Sequence, residues 1–549
     1  MRKKLVLLGI LDPYTFEAVK DEKGRKKRKG GYHPVARSKP VGWVRQPGQS
    51  KLSKWRYEYT NSVWWRTLED ERTYDCSSHA GKQFRRDFRI TRGLFDTLVA
   101  EANTVVKLQD KPSGTGNGRG PERVPVKMKL AGCLYKLAKG CDFRTLELIG
   151  HVQSSTYERW FHRWVEWMAE GQVYFEHVSP WKDEEELRKG MKVYEKLGFP
   201  GVLVELGYAG CPRALHPLES GMMIRSFGAR VDCSCMPLLA GACASADGVK
   251  ISWNRCPAAQ TALHKCGKDA PVALNFNVSV THSREILHTT GAHPSTRNDK
   301  TLAHLDLFFT KLRMGELQTS DGFNVSQVSY DLLTADGEGH TEQGPYIITD
   351  NGYLHWPMLQ FAPKYSSDKA WLRWAKRLES VRKDSECTYG ILKQRFRELR
   401  LPSEFKKAIT VERVFKTCCQ LHNRLLRLDG LSTLGHHEGD WLLKDPDELE
   451  REEEIKKLDA LVHRYKHVKP EFDMTVGECK PEEIRMWGAR RQRLVEHYNQ
   501  LQSKDVQWLA TAAASRVRPH LQPGFTSERN DGDDEEVEED EGDGLSGDE

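Results

Sequence analysis

Two patterns of apolar residues predict the central elements of the fold. Residues 346–349 form a short apolar run before the turn-forming pair Asn351-Gly352, which predicts a buried strand that ends at Asp350. Around Glu386, apolar and small residues recur at spacings of three and four, which predicts a helix. The predicted buried face of that helix comprises Val381, Ser385, Thr388, Leu392, Phe396 and Leu399.

An adjoining stripe of the same predicted helix carries Glu386, Gly390, Lys393 and Arg397. A glycine inside a helix costs about 1 kcal/mol relative to alanine. We therefore expect something to lie close beside Glu386 at Gly390, such as a metal ion or a phosphate.

A second strand is predicted from strict alternation between residues 274 and 280. Leu274, Phe276, Val278 and Val280 alternate with polar residues, which predicts a half-exposed strand, and residues 284–290 are expected to pair with it as a hairpin. His288 and His293 are interpreted as hairpin or loop residues, and His422 as a satisfied histidine of the core.

A helical segment precedes these strands. Residues 127–140 and 142–149 are predicted helices, and a third begins at Ser155, which forms a capping-box pattern with Glu158. Its predicted buried stripe is Trp160, Phe161, Trp164, Trp167 and Met168, and its predicted outward residues are Tyr157, Arg159, His162 and Arg163. The outward face favours a helix-turn-helix whose arginines contact DNA; the alternative is a helical hairpin packed on the rest of the protein.

Charge is strongly segregated along the 549 residues, although the formal net charge is only +6. Residues 528–549 hold 13 acidic residues and one arginine, so the remainder carries +18 and favours nucleic acid as a partner. Residues 1–56 contain 16 Lys or Arg against four acids, which predicts a disordered basic arm. The acidic end is interpreted as disordered and solvated, or as a mimic of DNA that competes for the basic surface.

Two further features of the sequence bear on the cellular compartment of the protein. The apolar stretch near the N-terminus is only seven residues long and lacks a small-residue cleavage site, so we expect no secretion signal. The 13 cysteines are odd in number, which favours reduced thiols in the nucleus or cytosol.

Three carboxylates stand in distinctive contexts: Asp247 in Ala246-Asp247-Gly248, Asp350 after the predicted strand, and Glu386 on the predicted helix. Phosphodiester cleavage commonly uses two divalent cations roughly 3.5–4 Å apart. Such cations take hard oxygen ligands, which these carboxylates could supply.

Six blocks in order resemble PIF/Harbinger-type DDE transposases over roughly residues 80–430: 198–201, 245–257, 297–301, 350–353, 386–397 and 421–423. The resemblance implies an RNase H-like fold, a mixed five-stranded sheet flanked by helices, with Asp247, Asp350 and Glu386 as a triad that binds two Mg²⁺ or Mn²⁺ ions. It also implies a nuclear enzyme that cuts and joins transposon terminal repeats. Lys393 and Arg397 would hold backbone phosphate, and a Myb-like protein and a homo-oligomer are the expected partners.

The chain departs from that family at several positions. Lys250 replaces a histidine, and residues 294–296 read Pro-Ser-Thr instead of Pro-Gly-Ser. Residues 202–244 separate two blocks that are normally close, which indicates an insert or a retained intron. The insert offers a rival first aspartate, Asp232, and a zinc knuckle that its spacing disfavours, with Cys211, Cys233, Cys235 and Cys243.

The predicted organisation has five parts. They are a basic arm (1–56), a helix-turn-helix-like DNA-binding region (57–194), a catalytic domain (195–430), a charged helical extension (431–520) and an acidic tail (521–549). In the extension, residues 446–466 and 480–502 are predicted helices that either dock on the core or contact DNA. Two functions remain open, a metal-dependent endonuclease and transposase, or a domesticated or decayed copy that binds DNA or a partner without cutting.

Overall fold

The structure, a computed structural model, describes most of the chain between residues 58 and 503. The described ranges are 58–109, 124–197, 199, 241–266, 271–335, 339–363, 365–432, 448–465 and 479–503. They belong to one unit, Tyr57–Glu549. The predicted basic arm, the acidic tail and most of the predicted insert lie outside the described residues.

A mixed sheet forms the centre of this unit. Its strands are β1 (Ala242–Ser252), β2 (Ala273–Val280), β3 (Ile286–Thr289), β4 (His293–Pro294), β7 (Tyr346–Ile348) and β8 (Leu359–Gln360), and a separate antiparallel pair is formed by β5 (Ser329–Leu333) and β6 (Gly339–Gln343). The order along the sheet is β3-β2-β1-β7-β8, with β4 also paired to β2. Strand β1 is antiparallel to β2 and parallel to β7, so the chain is mixed α/β as expected.

Helices flank this sheet. Within the described part of the chain, eight precede it: α1 (Val63–Glu69), α2 (His79–Phe88), α3 (Arg92–Thr104), α4 (Val126–Lys139), α5 (Phe143–Gly150), α6 (Ser154–Ala169), α7 (Gln172–His177) and α8 (Glu184–Lys196). Between or after the strands come α9 (Thr261–His264), α10 (Asp299–Leu305), α11 (Leu307–Met314), α12 (Lys369–Arg395), α13 (Ala408–Leu428), α14 (Glu448–Tyr465) and α15 (Pro481–Ser503). Among the described helices, none is both long and apolar enough to cross a membrane.

The predicted strand before Asp350 is confirmed as β7. All three of its residues are buried, because β7 lies between β1 and β8 inside the sheet. Strand β1 begins at Ala242, so its first three residues lie within the segment predicted to be an insert. Cys243 is fully buried there and its Sγ donates a hydrogen bond to the Tyr346 carbonyl, so it serves the core and is no candidate zinc ligand.

The prediction of a half-exposed strand at residues 274–280 is wrong, because all eight residues of β2 are buried. Of its polar residues, Asn277 is satisfied by buried partners: its amide donates to Asp306, and the Tyr353 hydroxyl donates to it. Alternation reports which residues share a face, and here both faces are covered. The predicted hairpin is confirmed, since β3 pairs with β2.

Helix α6 carries the predicted aromatic stripe, although Trp167 is only half-buried. Two other predictions for this helix were wrong. Tyr157, predicted to point outward, is fully buried against Trp64 of α1. The helix begins at Ser154 and not at Ser155, and its first amide is bonded by the Glu147 carboxylate instead of a capping box. The helix thus packs on α1 as well as on α13.

Helix α12 is 27 residues long and packs against β1 and β2. A Cβ atom added at Gly390 would meet no described protein atom within 4 Å, so the space beside this residue is open. The helix ends at Arg395, so Arg397 lies in a following 3₁₀ turn and not on the predicted stripe. His422 is the expected core histidine, fully buried beside the Arg284 carbonyl and Arg395.

Helix α15 of the C-terminal extension docks on the sheet, which is one of the two arrangements expected for that extension. The Trp487 indole donates to the Leu359 carbonyl of β8 at 2.8 Å, and Arg490 bonds Glu342 of β6. The Arg491 guanidinium lies 3.9 Å from the Trp487 ring centroid. Arg490 and Arg491 therefore serve packing.

A buried ion pair ties the N-terminal helices to the second half of the chain. Lys136 of α4 lies 3.1 Å from Glu398, which follows α12, and both side chains are less than one-tenth exposed. The Lys136 ammonium also donates to the Cys141 carbonyl. Removal of one partner of such a pair leaves an uncompensated buried charge.

We expect Lys136→Met to lower the free energy of unfolding by about 3–5 kcal/mol. The double variant Lys136→Met/Glu398→Leu should recover most of that loss, because no isolated charge remains buried. Urea unfolding followed by tryptophan fluorescence measures both. A double variant as unstable as the single one would contradict the role given to the ion pair.

Candidate functional site

Asp247 lies on β1, the strand at the centre of the sheet. Its register partner on β2 is Val278, and its side chain is one-fifth exposed. One carboxylate oxygen accepts a hydrogen bond from the Gly248 amide at 2.7 Å. The Tyr389 hydroxyl of α12 donates to the Asp247 carbonyl at 2.7 Å, which fixes the strand backbone at this point.

Asp350 reaches the same edge of the sheet from the neighbouring strand. Ser245 of β1 pairs with Ile348 of β7, so Asp247 and Asp350 each lie two residues farther along parallel strands. The Gly352 amide donates to the Asp350 carboxylate at 2.9 Å and holds the turn after β7. Because parallel strands run side by side in the same direction, Asp350, just beyond the end of β7, lies level with Asp247 in the interior of β1.

Asp299 is a third carboxylate at this edge. It is the first residue of α10, and the Asn298 side chain caps that helix. A Cβ atom added to Gly352 would lie 2.9 Å from Asp299 Oδ2 and 3.0 Å from Asp350 Oδ1. No role was predicted for Asp299, although it lies in a block that contributed to the resemblance; a carboxylate in such a block was the available signal.

Glu386 faces this group from α12, with an arginine between. The Arg382 Nη2 lies 3.0 Å from Glu386 Oε1, and its Nη1 lies 3.8 Å from Asp247 Oδ2. Arg382 also pairs with Glu379. The structure therefore links Glu386 to Asp247 through a guanidinium, and within the described ranges no group of three or more His, Cys, Asp or Glu is arranged to hold a metal ion.

The electrostatics of the edge reflect crowded negative charge. Burial, with Asp350 and Asp299 adding to it, raises the pKa of Asp247 to about 6, although the Gly248 amide and Arg382 act in the opposite direction. Burial and the charge of Asp350 also raise the pKa of Asp299. Neighbouring carboxylates of this kind bind cations readily, because the positive charge of a cation offsets the repulsion between them.

The predicted phosphate-binding residues lie in different settings. The Lys393 ammonium donates to the Lys250 carbonyl at 2.9 Å, and burial lowers its pKa. Arg397 is exposed in the turn after α12. On α6, Arg159 is exposed and bonds the Ser155 carbonyl, whereas Arg163 is partly exposed and bonds the Lys107 carbonyl.

Comparison with known families gives one finding. Residues 231–430 match the family described as plant transposon protein. This segment is transposase-related. No curated protein and no solved structure matches the chain.

The matched segment of the transposon-protein family contains the whole acidic edge. It includes Asp247, Asp299, Asp350 and Glu386, and it begins at residue 231, within the predicted insert. Asp232, the rival first aspartate, is also inside the match but lies outside the described residues. Helix α15 and the helices before β1 lie beyond the match.

The raised pKa of Asp247 predicts a pH-dependent stability. Folding favours the protonated carboxyl, so this contribution is present below the ordinary value of 3.8 and is lost as the pH rises through about 6. We expect Asp247→Asn to raise the melting temperature at pH 7.5 and to change it little at pH 4, with EDTA present. The exposed Asp321→Asn is the control, and an equal effect of Asp247→Asn at both pH values would contradict the assignment.

Proposed function

We propose that this protein is a metal-dependent DNA endonuclease and transposase of the PIF/Harbinger DDE type, with an RNase H-like catalytic domain. The observation that supports it most is the placement of Asp247 and Asp350 two residues beyond a shared register position on parallel strands. The transposon-protein match over residues 231–430 agrees with it. The substrate is DNA at transposon ends.

The donor set fits a divalent cation of the Mg²⁺ or Mn²⁺ class. Asp247 and Asp350 offer hard carboxylate oxygens at one edge, where burial, with the charges of Asp350 and Asp299 adding to it, raises the pKa of Asp247. Glu386, whose side chain is half exposed, would complete the set after exchange of its ion pair with Arg382. When bound, two such cations would activate the attacking hydroxyl and stabilise the leaving oxygen.

The protein's own residues hold this arrangement in place. The Tyr389 hydroxyl binds the β1 backbone at Asp247, so α12 and the strand keep a fixed distance. Arg382 balances the carboxylates while no cation is bound, because its guanidinium contacts Glu386 and lies near Asp247. Arg397 is exposed and would contact backbone phosphate, together with Lys393 if it leaves the Lys250 carbonyl.

The surface for DNA outside the acidic edge would include α6. Arg159 and Arg163 lie on its accessible side, as a helix-turn-helix would require. The basic arm would add phosphate contacts, and the strong positive charge outside the acidic tail supports binding dominated by phosphate. A nuclear location, a Myb-like partner and a homo-oligomer complete the proposal.

A second candidate is a transposase-derived protein that binds DNA without cutting it. The ion pair between Arg382 and Glu386 favours this candidate, since it occupies a carboxylate of the proposed triad. The two candidates differ in one measurable property, which is cation-dependent cleavage.

We expect Asp350→Asn to reduce cleavage of supercoiled DNA in Mg²⁺ or Mn²⁺ by at least about 100-fold, because metal stabilisation of the transition state is worth several kcal/mol. DNA affinity should stay unchanged or increase slightly, since a negative charge is lost. Gel assays of nicking and fluorescence anisotropy measure the two properties. Asp321→Asn serves as the matched control.

Three outcomes of that experiment are informative. Cleavage by the native protein that stops with EDTA and with Asp350→Asn supports the enzyme. Cleavage that survives Asp350→Asn assigns the activity elsewhere. Tight DNA binding without cleavage in either metal supports the second candidate.

We expect Arg159→Ser and Arg163→Ser each to lower the salt dependence of DNA affinity, with the slope of log K against log salt falling by about 1 per phosphate contact. Anisotropy titrations between 50 and 200 mM salt provide the slopes. Arg72→Ser is the control because its side chain is exposed on another segment and paired with Asp70. Equal slopes for all three variants would favour the alternative of an ordinary helical hairpin.

A further inference from the structure

We propose that Asp299 is a fourth acidic residue of this site, and that it and the amide oxygen of Asn275 form a further pair of oxygen ligands for a divalent cation. The inference rests on the proposed function and extends its set of binding residues. Neither residue belongs to the triad that the resemblance implies.

Two glycines that follow the site aspartates leave room for the Asp299 carboxylate, because neither has a side chain. A Cβ atom on Gly352 would lie 2.9 Å from Asp299 Oδ2, and one on Gly248 would lie 3.4 Å from Asp299 Oδ1. The Asp299 carboxylate therefore lies close both to β1 at Gly248 and to the turn after β7 at Gly352. Any side chain at Gly352 would displace it, since contacts under 3.0 Å do not occur between real Cβ atoms and their neighbours.

Helix α10 presents Asp299 without using it as a cap. The Asn298 side chain accepts from the Thr301 amide at 3.0 Å and so performs the capping. Asp299, the first residue of the helix, is therefore not needed as a cap, and its carboxylate can point toward the sheet edge. A negative charge in the first turn of a helix is also favourable to the helix, which lowers the cost of keeping it there.

Asn275 supplies the independent observation. It lies on β2 and is 2% exposed, yet its Oδ1 has no hydrogen-bond partner among the described residues. A Cβ atom on Gly248 would lie 3.4 Å from this oxygen, the same distance as from Asp299 Oδ1. Two acceptor oxygens thus lie near one point, with the Asn275 Nδ2 slightly farther from it at 3.8 Å.

A buried acceptor without a partner costs about 1–3 kcal/mol. A cation satisfies several oxygens at once and removes both this cost and the repulsion between carboxylates. Mg²⁺ takes about six oxygen ligands, including retained waters, and two aspartates supply only part of such a shell. Asp299 and Asn275 have the chemistry and the position to add to it.

The test is direct Mn²⁺ binding to the full chain, measured by electron paramagnetic resonance of free Mn²⁺ and by calorimetry without DNA. We expect Asp299→Asn to weaken binding by about 10-fold or more, the size of effect seen when residues around a metal are removed. Asp299→Glu should retain part of the affinity because it keeps the charge. Asp350→Asn is the positive control, and Asp321→Asn is the matched surface control.

Asn275 is tested by two substitutions. Asn275→Asp keeps an oxygen at the position and should maintain or tighten Mn²⁺ binding, whereas Asn275→Leu should weaken it. If the amide instead turns its nitrogen toward Asp299, Asn275→Leu would leave Mn²⁺ binding unchanged or tighten it, and the role given to the Asn275 oxygen would be overturned. Thermal unfolding with EDTA confirms that each variant is folded.

The outcomes separate this inference from the function on which it rests. Binding that weakens with both Asp350→Asn and Asp299→Asn supports it. Binding that weakens with Asp350→Asn alone removes Asp299 from the site and leaves the proposed function standing. A native protein that binds no Mn²⁺ under these conditions overturns both.

Discussion

The parallel pairing of β1 with β7 is the constraint on which the rest of the site depends. Its register places Asp247 and Asp350, which are distant in the sequence, level with each other. The pairing also explains the burial of β7, because a parallel strand inside a sheet is covered on both faces. Helices α8 and α12 supply part of that cover.

Negative charge gathered at this edge has to be balanced. Arg382 of α12 supplies positive charge to this edge, since its guanidinium contacts Glu386 and lies near Asp247. A guanidinium is well suited to this position, since it is always charged and can contact two carboxylates at once. The same geometry makes Arg382 the residue that a bound cation would have to displace from Glu386, so cation binding and the position of this side chain are coupled.

Local patterns predicted the elements, and contacts distant in sequence decided the rest. The strand before Asp350, the hairpin after β2 and the long helix around Glu386 follow from periodicity and turn residues. The burial of Tyr157 does not, because it depends on Trp64 packing from another helix. The role of Asp299 also escaped prediction, since its proximity to Gly352 arises only when α10 folds back on the sheet.

Helix α15 changes where the structural unit ends. Its Trp487 bonds the Leu359 carbonyl of β8, the last strand of the sheet, so the helix covers a strand edge that would otherwise be open. Open edges recruit strands from other molecules and promote aggregation. A chain shortened to the end of the transposon-protein match at residue 430 would lose this cover, although every carboxylate of the site would remain. The sequence match therefore ends at residue 430, whereas the packed structure extends through α15.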